Sequence, residues 1–418
     1  MSKTTLAIIL CGGVGKRLAP LTRDRVKPAV PFGGIYRLID FTLSNCLNSH
    51  IRRICVLTQY KSLSLERHIR NGWSFLPYTL GEFIQTLSPQ QRVGTFWYQG
   101  TADAVFQNIY SIDQVKPELV LVLSGDHIYK MNYRKMIKAH RRKKAAVTIG
   151  AIPVPLSQAR SFGVMKVDGD GRVRAFEEKP ERPETMPGSR NQALVSMGIY
   201  VFDAELLKKT LREDSQDQSS SHDFGRDVLP KLIERVPTYA YRFGDENRKK
   251  QVYWRDVGTI DTFWEANMDL ISVDPVFNLY DKKWPINTYT EPGPPAKFVF
   301  ADLVCNTRDG RAGLAMDSLV SNGCIIAGGQ VIRSVLSPNV RVGEEARVED
   351  SILFEGAQVG AGCRLYRTIV DKHVRIPAGT VIGANPAEDA KCYPVSEHGV
   401  VVVSGGGKRG ENKKEMEV

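Results

Sequence analysis

Residues 6–29 read LAIILCGGVGKRLAPLTRDRVKPA, and this stretch predicts how the first part of the chain folds. Leu6 to Leu10 is a short apolar run, which is typical of a buried strand, and three glycines follow it. Glycines after a strand let the backbone approach a ligand closely and direct its N–H groups towards it. Arg17 and Lys27 would add the positive charge that a bound triphosphate requires. Turns after strands also use glycine, so the pattern alone leaves a plain turn open.

Two familiar phosphate-binding motifs do not fit this turn, whose glycines are Gly12, Gly13 and Gly15. A Walker loop has Ser or Thr after its Gly-Lys pair, whereas Arg17 stands there in this chain. The dinucleotide-binding fingerprint needs a further glycine at position 18, which is Leu18 here. The sequence therefore predicts a phosphate-binding turn of another type.

Strand-like and helix-like segments alternate up to about residue 240. The predicted strands are 6–10, 53–58, 119–124, 146–152 and 195–202, and the predicted helices are 39–48, 62–70, 101–112 and 133–141. This alternation predicts an α/β domain whose mostly parallel sheet is covered on both faces. Ligands of such sheets bind at the carboxyl ends of the strands, where Asp126 and Lys179 lie. Residues 79–98 contain several turn formers and are predicted to be a loop that borders the nucleotide.

The hydrophobic period changes to six beyond about residue 300. The residues at this spacing are Val342 and Val348, Val359 and Leu365, and Ile376 and Ile382. Such hexapeptide repeats predict a short left-handed parallel β-helix. Five prolines between 274 and 296 predict a linker before it. The predicted domains are therefore 1–273 (catalytic), 274–299 (linker) and 300–403 (β-helix), followed by a polar, glycine-rich tail at 404–418 that is predicted to be disordered.

The composition is that of a globular protein with an excess of positive charge. The chain has 418 residues and a formal net charge of +11, which would suit nucleic acid, a membrane surface or anionic small substrates. The densest basic run, 130–144, has apolar residues at helical spacing and predicts an amphipathic helix, and no nucleic-acid-binding motif is recognisable. No apolar run approaches the roughly 20 residues of a membrane span, and no signal peptide is recognisable. We therefore expect a cytoplasmic protein without nucleic-acid or membrane partners.

The segment 12–29 resembles GGxGxRLxPLTxxxxKPA, the signature of sugar-phosphate nucleotidylyltransferases. Further blocks resemble one branch, the glucose-1-phosphate adenylyltransferases of bacterial glycogen synthesis. These blocks are PFGGIYRLIDFTLSNCLNS (31–49), WYQGTADAV (97–105), SGDHIYKMNY (124–133), FGVM (162–165), FEEKP (176–180), SMGIYVF (196–202), SSHDFG (220–225) and YWRDVGT (253–259). The resemblance covers nearly the whole chain. It implies a Rossmann-like nucleotidyltransferase domain, ATP and glucose 1-phosphate as substrates, and a homotetramer.

Two carboxylates are predicted to hold a metal ion. Asp126 follows the apolar strand 119–124, and Asp256 lies in the block at 253–259. Two carboxylates together with phosphate oxygens and water suit Mg²⁺. A lone Asp before a loop is otherwise more often a helix cap or a turn residue, so the metal role depends on the matching blocks. His127 beside Asp126 invites an acid–base role, but the chemistry demands none and a structural histidine is the better interpretation.

The resemblance also assigns the remaining site residues. It implies catalytic roles for Arg17, Lys27 and Asp126, and nucleotide binding by Gly12, Gly13, Gly15, Gln99, Gly100, Thr101 and Asp103. It implies glucose 1-phosphate binding by Tyr98, Gly163, Glu178, Lys179 and Ser196. Asp103 could equally cap a helix, and Lys179 could simply form a surface ion pair with a neighbouring Glu.

Regulation is the point at which this chain departs from the enteric members of the branch. Where those enzymes have a lysine that helps to bind a sugar bisphosphate activator, this chain has Asp24, whose carboxylate would repel the anion. Arg25 and Arg37 resemble residues of the effector pocket. We therefore expect control by phosphorylated metabolites, with a preference other than fructose 1,6-bisphosphate.

Three other functions stay open at this point. The same fold could use dTTP or UTP, because the choice of base depends on few contacts. A non-catalytic regulatory subunit would share the fold, although such proteins usually lose the charged site residues that are present here. An acyltransferase on the β-helix is the third, but the β-helix is short and contains no convincing acyl-transfer histidine.

Overall fold

The structure, a computed structural model, describes residues 5–90, 97–302 and 311–405. Most of the predicted tail and residues 91–96 of the predicted loop lie outside these ranges. Within them, no helix combines the length and the apolar character that crossing a membrane requires.

The helices of the described residues are mostly short. The α-helices are α1 (Leu38–Asn48), α2 (Leu63–Gly72), α3 (Thr101–Phe106), α4 (Ile109–Val115), α5 (Tyr133–Arg142), α6 (Leu156–Ala159), α7 (Ala204–Ser215), α8 (Leu229–Arg235), α9 (Ile260–Met268) and α10 (Pro386–Cys392). Single 3₁₀ turns cover Lys16–Leu18, Lys27–Ala29, Tyr78–Leu80 and Asp269–Ile271, and a π-helical turn covers Phe224–Val228.

The strands fall into two groups, one before residue 260 and one after residue 296. The first group is β1 (Thr5–Cys11), β2 (Pro31–Phe32), β3 (Tyr36–Arg37), β4 (Arg53–Thr58), β5 (Phe83–Leu87), β6 (Leu119–Ser124), β7 (His127–Tyr129), β8 (Val147–Pro155), β9 (Gly163–Val167), β10 (Val173–Glu178), β11 (Gln192–Asp203), β12 (Thr238–Arg242) and β13 (Trp254–Asp256). The second group is β14 (Lys297–Val299), β15 (Leu314–Met316), β16 (Leu319–Val320), β17 (Ile325–Ala327), β18 (Gln330–Ile332), β19 (Val335–Leu336), β20 (Arg341–Val342), β21 (Arg347–Glu349), β22 (Ile352–Leu353), β23 (Gln358–Val359), β24 (Arg364–Tyr366), β25 (Thr368–Val370), β26 (Arg375–Ile376), β27 (Val381–Ile382) and β28 (Val401–Val403).

Contacts within the chain define two compact units. The first unit comprises Met1–Gly13, Phe41–Val252 and Lys283–Ile286. The second comprises Val14–Asp40, Tyr253–Lys282 and Asn287–Val418. The predicted boundaries at residues 273 and 299 are drawn along the sequence and stay a prediction, since the two units are made of interleaved segments.

The first unit is built on a mixed sheet of nine strands in the described residues. Seven follow the order β10-β9-β11-β6-β1-β4-β5, while β8 pairs with β11 and β12 pairs with β8. Its centre is parallel, since β1 pairs in parallel with both β4 and β6, and β4 with β5. This confirms the predicted parallel core. β11 runs antiparallel to β6 and β8, and β9 and β10 form a hairpin. These antiparallel strands were not separated from the parallel ones by the sequence pattern.

Both faces of this sheet are buried, as the prediction requires. Leu6 and Ile8 of β1 pack in one apolar cluster with residues of α3, α7 and α8. Ala7 and Ile9 point to the opposite face and are equally inaccessible. A strand buried on both sides reads as a continuous apolar run, which is why the sequence shows no alternation here.

Two predictions for the first unit are wrong in detail. The predicted helix 101–112 is divided into α3 and α4 at Asn108, whose side-chain Nδ2 donates to the Ala104 carbonyl (2.8 Å). The predicted loop 79–98 contains β5, which pairs in parallel with β4 from Phe83 to Leu87. Pairing with a neighbouring strand outweighs the weak local pattern of these residues, because strand propensity depends strongly on context.

The second unit contains the predicted β-helix. Three parallel sheets each take one strand from successive coils: β14-β17-β20-β23-β26, β15-β18-β21-β24-β27 and β16-β19-β22-β25-β28. The six residues singled out by their spacing, from Val342 to Ile382, are all buried in its core. The repeat looks imperfect in the sequence because the third strand of a coil follows after five residues rather than six. Val348, Leu353 and Val359 show this, and Val342 pairs with Val359, 17 residues further on.

An aromatic cluster ties the other segments of the second unit to the β-helix. The ring of Phe263 in α9 meets Phe32 in β2 at 6.1 Å and Phe354 of the β-helix at 6.2 Å, both edge to face. Edge-to-face contacts of this kind are favourable beyond the area that they bury. They explain why residues 14–40, although early in the chain, belong to the second unit.

Candidate active site

The carboxyl end of β1 is the first place where predicted site residues gather. β1 and β6 end side by side, with Leu10 opposite Ser124, and the Gly125 N–H donates to the Leu10 carbonyl (3.2 Å). Gly12 lies against Gln59, since a Cβ at Gly12 would be 3.3 Å from Gln59 Oε1. Gln59 Nε2 in turn donates to the Tyr98 carbonyl (3.2 Å). In this way Gln59 connects the glycine turn with the predicted nucleotide segment at 97–103.

Asp126 lies at the same edge of the sheet. Its carboxylate accepts a hydrogen bond from the Ser124 hydroxyl, and its Oδ1 lies 3.7 Å from His127 Nε2. Burial, and after it the charge of Asp126, raises the pKa of the Cys11 thiol well above its usual value. Asp126 therefore lies beside Cys11, at the end of β1.

The start of α3 is held by the segment 220–227. The N–H groups of Ala102 and Asp103 both donate to the His222 carbonyl, at 2.8 and 3.3 Å. Thr101 Oγ1 donates to Asp223 Oδ2 (2.9 Å). The orphan N–H groups of the first helical turn are thus satisfied within the protein. The SSHDFG block was recognised in the sequence, yet none of its residues was assigned to this role.

Asp103 does not cap α3, whose N-cap is Gly100, but its side chain makes two hydrogen bonds around the start of that helix. Its Oδ2 accepts from the Gln99 N–H (2.9 Å) and from Gln107 Nε2 (2.8 Å). The side chain of Gln99 is exposed just before the helix. Asp103 thus shapes the backbone of the predicted nucleotide segment, and direct contact of Asp103 or Gln99 with a nucleotide stays a prediction.

Gly100 has no room for a side chain. A Cβ at this position would lie 2.2 Å from the His222 carbonyl oxygen, which cannot retreat without losing its bonds to α3. We expect Gly100→Ala to lower the free energy of unfolding by about 1–3 kcal/mol, the usual cost of overpacking. Urea denaturation of the full chain measures this change. Gly244→Ala is the matched control, because no atom lies within 4 Å of its would-be Cβ. Equal losses in both variants would contradict the steric argument.

The predicted sugar residues surround Glu178, at the end of β10. Gly163 pairs with Glu178 in the β9–β10 hairpin, and a Cβ at Gly163 would lie 2.9 Å from Glu178 Oε2. Burial raises the pKa of Glu178, although the Lys179 ammonium, 3.3 Å from Oε1, acts in the opposite direction. A side chain at position 163 would meet the Glu178 carboxylate, which favours a glycine there. Lys179 itself is exposed and adopts a left-handed backbone conformation (φ 51°).

Ser196 and Tyr98 are both buried. Ser196 is buried, accepts from the Gly198 N–H (3.2 Å) and lies 3.4 Å from the Tyr200 hydroxyl. Burial raises the pKa of Tyr200, and Glu178 adds to this. Tyr98 is also buried, and its hydroxyl accepts from Asn108 Nδ2 (2.9 Å). Ser196 thus belongs to the surroundings of Glu178, whereas the Tyr98 ring packs in the apolar cluster below α3.

A second group of predicted residues gathers in the second unit. Lys27 Nζ lies 3.0 Å from Asp256 Oδ1, and the Lys27 side chain is largely buried. A Cβ at Gly258 would lie 3.2 Å from Arg17 Nη2 and 3.3 Å from Asp256 Oδ2, so Arg17 and Asp256 meet at this glycine. Two cations therefore flank one carboxylate.

Gly15 sets the backbone of this group. It is left-handed (φ 65°) and precedes the 3₁₀ turn that carries Arg17. Thr22 Oγ1 donates to the Gly15 carbonyl (2.9 Å), which fixes the turn. A glycine is preferred here because an L-residue with a side chain is strained in this region.

The predicted effector residues Arg25 and Arg37 lie near a third cation in the second unit. Arg25 forms a buried ion pair with Asp371 (2.8 Å). Burial, and then the charges of Arg37 and Arg25, lower the pKa of Lys372, while Glu355, 2.6 Å away, opposes this shift. Lys372 was missed in the sequence, because nothing in the β-helix repeat marks it as close to residues more than 300 positions earlier. Gln59 was also missed, although its place after a predicted strand was a usable signal.

Comparisons with known proteins match both the first part of the chain and the β-helix. The nucleotidyl transferase family model matches residues 6–273, and the GlmU-like C-terminal hexapeptide model matches residues 294–403, which agrees with the left-handed β-helix. The chain is 53% identical to a glucose-1-phosphate adenylyltransferase of Koribacter versatilis, over 96% of this chain and 95% of that protein. It is 52% identical to glucose-1-phosphate adenylyltransferase 2 of Vibrio cholerae (96% and 97%) and 51% identical to the enzyme of Methylococcus capsulatus (97% and 94%).

These similarities extend over both units. A match of this length and identity shows membership of a family rather than a shared fold alone. The chain belongs to the nucleotidyl transferases and, among them, to the glucose-1-phosphate adenylyltransferase family.

Proposed function

We propose that this chain transfers the adenylyl group of ATP to α-D-glucose 1-phosphate and releases pyrophosphate and ADP-glucose. The observation that carries the proposal is the group of Arg17, Lys27 and Asp256 beside the left-handed turn at Gly15. Two fixed cations on a glycine turn suit a triphosphate, which carries several negative charges. The family relationship identifies the triphosphate as ATP and the acceptor as glucose 1-phosphate.

The reaction requires little acid–base chemistry. A phosphate oxygen of glucose 1-phosphate forms a bond to the α-phosphorus of ATP, and the bond from that phosphorus to the bridging oxygen of pyrophosphate breaks. The sugar phosphate is already mostly a dianion at pH 7, because its second pKa is about 6. Positioning and charge neutralisation therefore supply most of the acceleration. Arg17 and Lys27 would hold the triphosphate and stabilise the charge that develops on the leaving pyrophosphate.

Nucleotidyltransferases generally use a divalent metal ion, and we propose Mg²⁺ held by Asp126 and Asp256. Both are carboxylates with neutral or cationic partners, the Ser124 hydroxyl for Asp126 and Lys27 for Asp256. Oxygen ligands of this kind fit Mg²⁺, which keeps several waters and takes one or two carboxylates besides phosphate oxygens. The ion would neutralise charge on the phosphates. Lys27 would balance the Asp256 charge before substrates bind.

We place glucose 1-phosphate around Glu178. Its carboxylate is partly buried, which raises its pKa, and it would accept hydrogen bonds from sugar hydroxyls. Lys179 follows directly and would bind the phosphate, while Ser196 would contact the sugar ring. Gly163 would shape this site, because it has no Cβ to displace the Phe176 ring and the Glu178 carboxylate.

A pyrophosphate-release assay with glucose 1-phosphate and a panel of nucleotides tests the proposed function. We expect ATP to give a kcat/KM at least about 100-fold above those for UTP and dTTP, the discrimination expected where buried polar groups would be left unpaired by the wrong base. A preference for dTTP or UTP would reject the adenylyl assignment. No turnover with any of these nucleotides would favour a silent regulatory subunit.

We further propose that phosphorylated metabolites regulate the enzyme by binding near Arg37 and Lys372. In this region Arg25 pairs with Asp371 and Lys372 with Glu355, and the charge of Arg37 acts on Lys372, so three cations lie close enough together to attract an anion. An incoming phosphate would restore the lowered pKa of Lys372 towards its usual value and would compete with Glu355 for its ammonium.

We expect Lys372→Gln to raise the half-saturating concentration of the activating metabolite about tenfold, because a charge-assisted hydrogen bond contributes about 1.5–3 kcal/mol. Activity titrations with a set of glycolytic phosphates measure this. Lys391→Gln is the control, since Lys391 pairs with Glu388 on the exposed part of the same unit. An unchanged response of the Lys372 variant would move the effector elsewhere.

The remaining proposals concern assembly and setting. We propose a homotetramer, which light scattering on the purified chain would test. We also propose that the enzyme works in the cytoplasm, where its charged substrates are retained, and that it supplies the glucosyl donor for glycogen. A strain lacking the protein would then lose glycogen.

A further inference from the structure

A pocket of about 310 Å³ in the first unit has an uncharged lining. A quarter of the chain consists of charged residues, yet none of the described residues that line this pocket is charged. Five amide side chains line it instead, those of Gln85, Gln90, Gln107, Asn108 and Gln114. The volume lies at the lower end of the range for small-molecule sites. We call it the amide pocket.

The amide groups present hydrogen-bond acceptors to a ligand. In three of them the nitrogen is already used, and the oxygen accepts no hydrogen bond within the described part of the chain. The bonds of the nitrogens are Gln107 Nε2 to Asp103 Oδ2 (2.8 Å), Asn108 Nδ2 to Tyr98 Oη (2.9 Å) and Gln114 Nε2 to Tyr110 Oη (2.6 Å). Acceptors without a neighbouring cation repel phosphate and carboxylate groups but match hydroxyl donors. The lining therefore selects against the phosphorylated metabolites proposed for the second unit.

Aromatic rings complete the pocket. Tyr78, Phe83 and Tyr110 line it, and the rings of Tyr78 and Phe83 are 6.4 Å apart. Aromatic faces bury the C–H surface of a ligand, while the amides satisfy its hydroxyl groups. This combination of hydrogen-bond acceptors and apolar faces corresponds to a sugar without charge.

We propose that the amide pocket binds a neutral saccharide, such as the end of a short glucan. The pocket also adjoins the predicted nucleotide segment, and this part of the proposal rests on the proposed function. Gln107 bonds to Asp103, whose carboxylate also accepts from the Gln99 N–H (2.9 Å), and Asn108 bonds to the Tyr98 hydroxyl. A sugar that engages Gln107 and Asn108 therefore acts on residues assigned to the nucleotide (Gln99 and Asp103) and to glucose 1-phosphate (Tyr98).

Isothermal titration of the full chain with maltotriose tests the binding. Saturating glucose 1-phosphate is included so that the proposed sugar site is already occupied. We expect one site per chain, at least about fivefold weaker in Gln85→Ala, which loses one hydrogen bond, and undetectable in Ser111→Phe, which fills the pocket. Gln158→Ala is the matched control, because Gln158 is exposed on α6, is not among the residues that line the pocket, and should leave the binding unchanged.

Kinetics test the coupling. We expect maltotriose to change the KM for ATP by about fivefold in the wild type, which is the lower limit of ordinary allosteric coupling. In Ser111→Phe the KM for ATP should not change. Absence of binding up to tens of millimolar, or equal binding by all variants, would overturn the proposal. So would a change of oligomeric state in Ser111→Phe without loss of sugar binding, since a second copy of the chain would then cover this face. Sugar binding by a chain that makes no ADP-glucose would instead reject the proposed function alone.

Discussion

Asp126→Ala is expected to lower kcat for ADP-glucose formation by on the order of 10³-fold or more while the chain stays folded. The carboxylate is proposed to hold Mg²⁺, and removal of one group that stabilises transition-state charge typically costs this much. Asp126 accepts from the Ser124 hydroxyl, lies beside His127 and is only partly buried, so its loss removes little packing. Initial rates of pyrophosphate release and thermal unfolding of the same preparation measure both effects.

A matched control separates the chemistry from a general loss of negative charge. Asp170→Ala removes an exposed carboxylate in the turn between β9 and β10 of the same unit and should keep wild-type kcat. The concentration of Mg²⁺ that gives half-maximal rate should rise in Asp126→Asn and stay constant in the control. Substantial turnover by Asp126→Ala, with an unchanged Mg²⁺ requirement, would refute the metal assignment.

Lys179→Ala is expected to raise the KM for glucose 1-phosphate about 100-fold and to change the KM for ATP by less than about threefold. The lysine is proposed to bind the sugar phosphate, and a charged hydrogen bond contributes about 1.5–3 kcal/mol. Its side chain is exposed, and its only described ion-pair partner is Glu178 at 3.3 Å. Steady-state kinetics with each substrate varied in turn measure the two KM values.

Two further variants make this test specific. Lys166→Ala removes an exposed lysine from β9 of the same hairpin, where it pairs with Glu184 (3.1 Å), and should change neither KM. Lys179→Arg keeps the charge and should recover much of the affinity. Equal increases in both KM values for Lys179→Ala would mean that this residue supports the active site in general rather than the sugar phosphate.

Much of the fold could be predicted because burial imposes a periodic pattern of apolar residues on the sequence. β1 and β6 are continuous apolar runs, as strands covered on both faces must be, and the β-helix repeats one inward-facing aliphatic residue per side. β5 left a weaker trace and was taken for a loop. It lies at the edge of the sheet with partly exposed residues, so its pairing with β4 was decided by neighbours that no local pattern reports.

The residues of the candidate site could be predicted from the sequence, but most of the contacts around them could not. The residues at 12–17, 126 and 179 follow predicted strands or lie in recognised blocks, which is a local property. The contacts that surround them are not local: Gln59 reaches Tyr98, and the segment at His222 holds the start of α3. Long-range contacts depend on how strands are ordered in the sheet, and a single sequence does not report that order.

The sequence by itself determined the α/β sheet, the β-helix and the family, because apolar periodicity and glycine turns are written into neighbouring residues. Only the tertiary structure decided that Lys27 pairs with Asp256, 229 residues away, and that residues 14–40 pack with the β-helix through Phe32, Phe263 and Phe354. It also decided that five amides from separate parts of the chain would line one uncharged pocket. The physical reason is the same in each case. A charge or an amide interacts with the groups that are close to it in space, and those distances exist only in the folded chain.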